Sequence, residues 1–237
     1  MPEDQLIIYP RKRFGFGLIA GTMFKKYRSR SVLGLSLMIS QAFLYNAVFF
    51  TYAMVLTQFY NVDPGKTGLY LLPFAIGNFL GPLVLGTFFD TVGRRTMISG
   101  TYTLSALLLA FTGYLFTRGD LSAAGQTALW SVIFFFASAA ASAAYLTVSE
   151  IFPLETRALA IAFFYSAGTG AGGVAAPWFF GTLIGTGNRS DVMGGYLLGA
   201  VLMLLAAGVE AVWGVKAERM SLEKVSKPLS AVDKEGP

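Results

Sequence analysis

Six long, nearly uncharged apolar runs restrict what this chain can fold into: Val32–Gln58, Gly68–Phe89, Met97–Phe116, Thr127–Val148, Ala158–Ile184 and Met193–Val215. Each is long enough to cross a hydrocarbon layer of about 30 Å as a helix. A backbone in lipid must satisfy its own hydrogen bonds, so the runs predict an all-α membrane protein with six transmembrane helices in one bundle. Composition agrees, because only 13% of the residues are charged, against about 25% for a globular domain. The expected division is a linker over 1–31, a six-span bundle over 32–215 and a tail over 216–237.

The net charge of +5 does not indicate a nucleic-acid partner, because the bases are sorted by loop. Arg11, Lys12, Arg13, Lys25, Lys26, Arg28 and Arg30 precede the first span; Arg94 and Arg95, then Arg157, and finally the tail bases fall in later loops of the same side. Only Lys66, Arg118 and Arg189 fall on the other. By the positive-inside rule both termini are expected in the cytoplasm, as an even number of spans requires. There are no cysteines and no histidines. That removes a disulfide framework, thiolate metal sites, the usual general base and the commonest metal ligand. No paired acid/base constellation offers intramembrane enzyme chemistry, and neither a cofactor nor a metal site is expected.

Phe14–Phe24 is apolar but short, interrupted by glycines and followed at once by Lys25-Lys26. It is expected as an interfacial helix rather than a span or a cleaved signal. The loops Asn61–Lys66, Thr117–Ser122 and Gly187–Asp191 carry turn residues rather than chemistry. The tail from Lys216 is expected to start as a short amphipathic helix and end disordered. Two runs of small residues, Ser138–Ala144 and Gly168–Gly173, fit either close helix packing or a hinge beside a cavity.

Polar groups inside the spans are few. At 100° per residue Gln41, Tyr45 and Tyr52 fall within about 40° of one another, whereas Asn46 lies about 140° from Gln41. A straight helix would not aim both carboxamides at one ligand, so a kink or partial unwinding is expected. Asn46 and Asn78 both sit near the midplane, roughly 21 Å and 17 Å from the cytoplasmic ends of their spans. Such a pair serves either as interhelical hydrogen bonds or as a substrate site. No Asp, Glu, Lys or Arg occupies the middle of a span. Glu210, about one turn from the end of the sixth, is expected to reach water. Proton symport would therefore need groups outside this chain's midplane.

The loop Gly86-Thr-Phe-Phe-Asp90-Thr-Val-Gly93-Arg94-Arg95 compresses a carboxylate, a turn glycine and two arginines between two spans. As a basic loop it could simply fix topology. Its spacing, however, resembles the loop signature between the eighth and ninth helices of major facilitator superfamily carriers. Ser149-Glu150-Ile-Phe152-Pro153-x-x-x-Arg157 is similar to the loop after the tenth helix in the sugar-porter branch. Ser40-Gln41-x-x-x-x-Asn46-Ala-Val-Phe49 resembles its seventh helix, Asn78 falls where that branch has an asparagine, and Ser221-Leu-Glu223 echoes its tail.

The resemblance implies the C-terminal six-helix half of a twelve-helix secondary carrier working by alternating access. It implies that Gln41, Asn46 and Asn78 bind a small polar solute, and Tyr45, Tyr145 and Tyr165 complete the expected substrate set. It further implies a cytoplasmic gate of Gly86, Asp90, Gly93, Arg94, Arg95, Glu150 and Arg157. Several sugar-porter positions differ: Ser40, Ala137 and Gly168 replace polar or acidic residues, and Ala141–Tyr145 stands where a Gly-Pro turn and a tryptophan are usual. Organic acids thus join sugar-like solutes as expected cargo. The expected partners are that solute, the lipid bilayer and a missing N-terminal six-helix half, supplied by the same gene or by a separate chain. A fragment or split reading frame is expected, with a half-size protein as the alternative. The expected location is a bacterial inner membrane. A six-span scaffold without transport is the competing function.

Overall fold

The structure is a computed structural model that describes residues 17, 21–215, 220, 225, 226 and 228. Most of the expected interfacial helix over Phe14–Phe24, most of the tail from Lys216 and Ser221-Leu-Glu223 lie outside the described residues. A π-helical turn, Thr22–Lys26, leads into α1 (Arg28–Phe49), which is followed by α2 (Tyr52–Tyr60). The remaining helices are α3 (Thr67–Thr91), α4 (Arg94–Arg118), α5 (Ala123–Glu150), α6 (Leu154–Gly168), α7 (Ala175–Gly185) and α8 (Arg189–Trp213). A π-helical stretch, Thr169–Val174, joins α6 to α7, so that Leu154–Gly185 acts as one span.

Among the described residues six helical segments are long and apolar enough to cross a membrane. They start one to four residues before the apolar runs do, because Arg28, Arg94 and Arg189 still take helical conformation at the bilayer edge. The turns follow from local chemistry. Asp63, Ser122 and Asn188 accept backbone N–H bonds from Gly65, Gly125 and Ser190. Gly93 takes φ 110° between α3 and α4, a conformation that a side chain would strain.

Helices α1, α5 and α8 form the centre, with α4 packed on α5 and α8 and with α3 leaning on α5. In the most apolar stretch of the α3 span 11% of residues are buried, against 61% for α5. α3 is therefore held along a narrow seam. A Cβ on Gly77 would stand 2.4 Å from the Ser131 carbonyl oxygen, and one on Gly81 2.0 Å from that of Phe135. Gly168 and Gly172 do the same for the fifth span, where added Cβ atoms would stand 2.8 Å from the Met38 carbonyl oxygen and 2.5 Å from the Phe43 nitrogen.

The two small-residue runs thus differ. Ser138–Ala144 lies in unbroken helix and serves packing, with Ala139, Ala140, Ala143 and Ala144 buried. Gly168–Gly173 combines close packing with a local break in helical regularity. Pro177 follows that break and lacks the N–H that regular helix would need there, so the widened turn relieves a conflict that proline imposes.

Gly81→Ala is expected to lower stability by about 1–3 kcal/mol through overpacking. Gly100→Ala, where an added Cβ meets nothing within 4 Å, should leave stability unchanged or raise it. Thermal unfolding of both variants in detergent checks the contrast.

Candidate functional site

One cavity of about 310 Å³ opens among α1, α3, α5 and the fifth span. Gln41, Tyr45, Asn46, Asn78, Tyr145 and Tyr165 all line it, together with Ala42, Phe49, Phe50, Phe134 and Thr169. Gln41 and Asn46 reach it without any unwinding between them, contrary to the kink expected from the sequence. The α1 residues on the cavity (41, 42, 45, 46 and 49) sweep about 140° of the helix at 100° per residue, so the cavity is wide enough to take in both carboxamides. The helix does break, but only at Phe50–Thr51, beyond Asn46.

The hydrogen bonds fix which polar groups remain for a ligand. The Tyr45 hydroxyl donates to Asn78 Oδ1 at 2.9 Å, which leaves the Asn78 amide N–H groups. Asn46 Nδ2 donates to the Ala42 carbonyl at 2.6 Å, which leaves its Oδ1 as an acceptor. Gln41 forms no hydrogen bond with a described residue and keeps both functions. Pro82 cannot offer an N–H to the Asn78 carbonyl one turn earlier, so that carbonyl loses its helical partner.

Aromatic rings make the rest of the wall. Phe134 packs against Tyr45 at 4.7 Å and Phe74 at 4.1 Å between ring centroids. Tyr145 and Tyr165 face each other at 6.0 Å with their planes inclined by 45°. Among the described residues no charged side chain lines the cavity. Carboxamides, hydroxyls and ring faces with no formal charge suit a neutral, hydroxyl-rich solute better than an anion. Phe49, Phe50, Phe134 and Thr169 were not expected here. Phe49 closes the Asn46-Ala-Val-Phe49 motif and Thr169 lies in the Gly168–Gly173 run, whereas nothing in the sequence marks Phe50 or Phe134.

The charged residues of the expected gate gather at one end of the bundle. Arg94 forms an ion pair with Glu150 across the α4–α5 contact and lies 3.7 Å from Asp90. Arg94 and Glu150 side chains are only 14% and 18% exposed, while Asp90 is 59% exposed. Asp90, Arg94 and Gly86 also border a smaller cavity of about 230 Å³ at this end. Arg95 and Arg157 stand apart from the pair. Arg95 donates to the Ala211 carbonyl near the end of α8, and Arg157 Nε is buried without a hydrogen-bond partner among the described residues.

Glu210 corrects the expectation that it would reach water. It is fully buried, and neither carboxylate oxygen has a hydrogen-bond partner among the described residues. The chain turns tightly over it at Gly214, where an added Cβ would stand 2.6 Å from Glu210 Oε1 and 2.8 Å from Arg95 Cγ. Two clamps were also not anticipated. Arg30 donates to the carbonyls of Ile151 and Val225 while stacking on Tyr27. At the opposite face Arg189 donates to the carbonyls of Phe116 and Phe59 and stands 4.7 Å from the Phe116 ring centre.

Residues 17–226 match the sugar (and other) transporter family. The chain belongs to this family. It is therefore an integral membrane protein of a solute-transporter family of the major facilitator type, and not a member of an enzyme family. Comparison with curated proteins returned no match.

A double-mutant cycle on Tyr45→Phe and Asn78→Ala should return a coupling of about 0.6 kcal/mol, typical of hydrogen bonds between membrane helices. Unfolding in detergent measures it, and strict additivity would show that the bond carries no stability.

Proposed function

We propose that this chain carries a small, neutral, sugar-like solute by alternating access, with the Gln41–Asn78–Tyr165 cavity as its binding site. The single supporting observation is the convergence of carboxamides, tyrosines and phenylalanines from four spans on one cavity that, among the described residues, no charge lines. A carboxylate cargo would have to leave water for a site without a cation, which costs far more than the desolvation of hydroxyls that find partners. Proton coupling, likewise, would use groups outside this cavity.

The opposing wall of the transport path is assigned to an N-terminal six-helix half, from the same gene or a second polypeptide. The Lys- and Arg-rich end is assigned to the cytoplasm, where Asp90, Arg94 and Glu150 act as the gate. Each of these three charges stands at the end of its helix that the backbone dipole disfavours: Asp90 and Glu150 at C-termini, Arg94 at an N-terminus. They gain mainly from one another and can separate when the bundle tilts. Arg95 supports the same face through the Ala211 carbonyl of α8, and Arg157, in the first turns of α6, is assigned to that face. A bacterial inner membrane fits the short loops.

Uptake of a panel of neutral polyols, hexoses, pentoses and monocarboxylates into proteoliposomes, by this chain joined to an N-terminal half, tests the reading. Uptake of a neutral hydroxylated solute should fall about tenfold or more in the Asn46→Ala, Asn78→Ala double variant, as loss of two ligand hydrogen bonds predicts. Transport restricted to carboxylates, or indifferent to both asparagines, would overturn the assignment.

The gate has its own test, which the absence of cysteine makes clean. Ser142 borders the small cavity beside Asp90 and Arg94. In a Ser142→Cys background, Arg94→Ala should raise the rate of labelling by an impermeant maleimide several-fold from the cytoplasmic side. An unchanged rate would remove the gate.

A further inference from the structure

Beside the gate, at the same end of the bundle, lies a cavity that solute transport does not use. It occupies about 510 Å³ between the start of α1 and the end of α8, and is lined by Lys26, Arg28, Ser29, Val32 and Trp213. Lys26, Arg28 and Ser29 are exposed, and neither cation forms a salt bridge among the described residues. Ser29 adds a hydroxyl at the first turn of the 22-residue α1, where backbone N–H groups lack helical partners.

Trp213 connects this basic cavity to a different one. A groove of about 370 Å³ runs along α8, lined by Leu204, Leu205, Gly208, Val209, Val212 and Trp213. Leu205 is 61% exposed and Val212 67%, and a Cβ at Gly208 would meet nothing within 4 Å. The groove follows the helix from Val212 back to Leu205, about 10 Å into the apolar layer at 1.5 Å per residue. A cationic cup at the bilayer edge, an indole at the boundary and an apolar groove running inward match the sequence of parts in an amphiphile with an anionic head.

We infer that this face binds an anionic phospholipid. Its phosphate sits among Lys26, Arg28 and Ser29, and one acyl chain lies along Leu205–Val212 with Trp213 at their junction. Arginine and lysine together favour a phosphodiester. A zwitterionic headgroup would bring its own cation against both of them. The site joins the first and last spans of the bundle, so an occupied site ties these two helix ends together at the gate's face.

Native mass spectrometry of the detergent-solubilised chain, titrated with phosphatidylglycerol, phosphatidylcholine or inorganic phosphate, tests the inference. Phosphatidylglycerol should be retained over phosphatidylcholine. Its retention should drop about tenfold or more in the Lys26→Ala, Arg28→Ala double variant, as expected for two juxtamembrane cations. Lys66→Ala at the opposite face should leave it unchanged. Equal retention of both lipids, indifference to the double variant, or equivalent binding of phosphate alone would overturn the lipid site.

A second readout does not depend on removing the charges. Phosphatidylglycerol brominated on its chains should quench tryptophan fluorescence more than the brominated choline lipid, and Trp213→Phe should abolish that difference. Trp130 is buried and Trp178 exposed on α7, so they supply a background common to both lipids. A difference that survives Trp213→Phe would place the lipid elsewhere and refute the assignment.

Discussion

Contact between helix backbones, made possible by missing side chains, is the constraint on which the other features depend. In lipid, apolar side chains gain little by leaving one hydrocarbon for another, so helices must hold by close approach and hydrogen bonds. Gly77 and Gly81 seat α3 on the Ser131 and Phe135 carbonyls, and Gly168 and Gly172 seat the fifth span on α1. Asn78 directly follows Gly77, and Thr169 directly follows Gly168. The contacts that hold the peripheral spans therefore also set the distance across the cavity between them.

Polarity is sorted by depth in the same molecule. The cavity holds carboxamides, hydroxyls and rings, while ion pairs lie at the helix ends. A carboxamide in the bilayer can be held by one uncharged neighbour and still offer N–H groups to a ligand, as Asn78 does beside Tyr45. A charge there would demand a counter-charge and water. Glu210 departs from the rule. It is enclosed under Gly214 and beside Arg95, near the end of α8 that also carries Trp213. Several groups that could rearrange thus converge where α4 and α8 meet the basic face.

Much of this could be read from the chain, for identifiable reasons. The six spans follow from uncharged length, and their helical nature from the backbone's need for partners in lipid. The resemblance grouped Asp90, Arg94, Arg95, Glu150 and Arg157 at one face, which needs only that two loops share a membrane side; which of them pair, Arg94 with Glu150 and Asp90, was not legible. Gln41, Asn46 and Asn78 were named from family positions, which carry three-dimensional information in compressed form. Without that, helical phase separated Gln41 from Asn46, because phase alone does not tell how wide an arc a cavity covers. Arg189 read as a turn residue, since neither the carbonyls nor the rings around it are neighbours in sequence.

By itself the sequence determined a six-span helical membrane protein, the sorting of its bases to one side and the identity of its turns, because hydropathy, charge and local conformational preference are properties of short stretches. Only the tertiary structure decided which small residues make backbone contact and that the fifth span loses helical regularity at Thr169–Val174. It also decided that Arg95 leaves the ion pair for a carbonyl, that Glu210 is sealed from water, and that a basic cup and an apolar groove meet at Trp213. Each depends on how far apart residues from different helices come to lie, and that distance is fixed by packing that no single stretch contains.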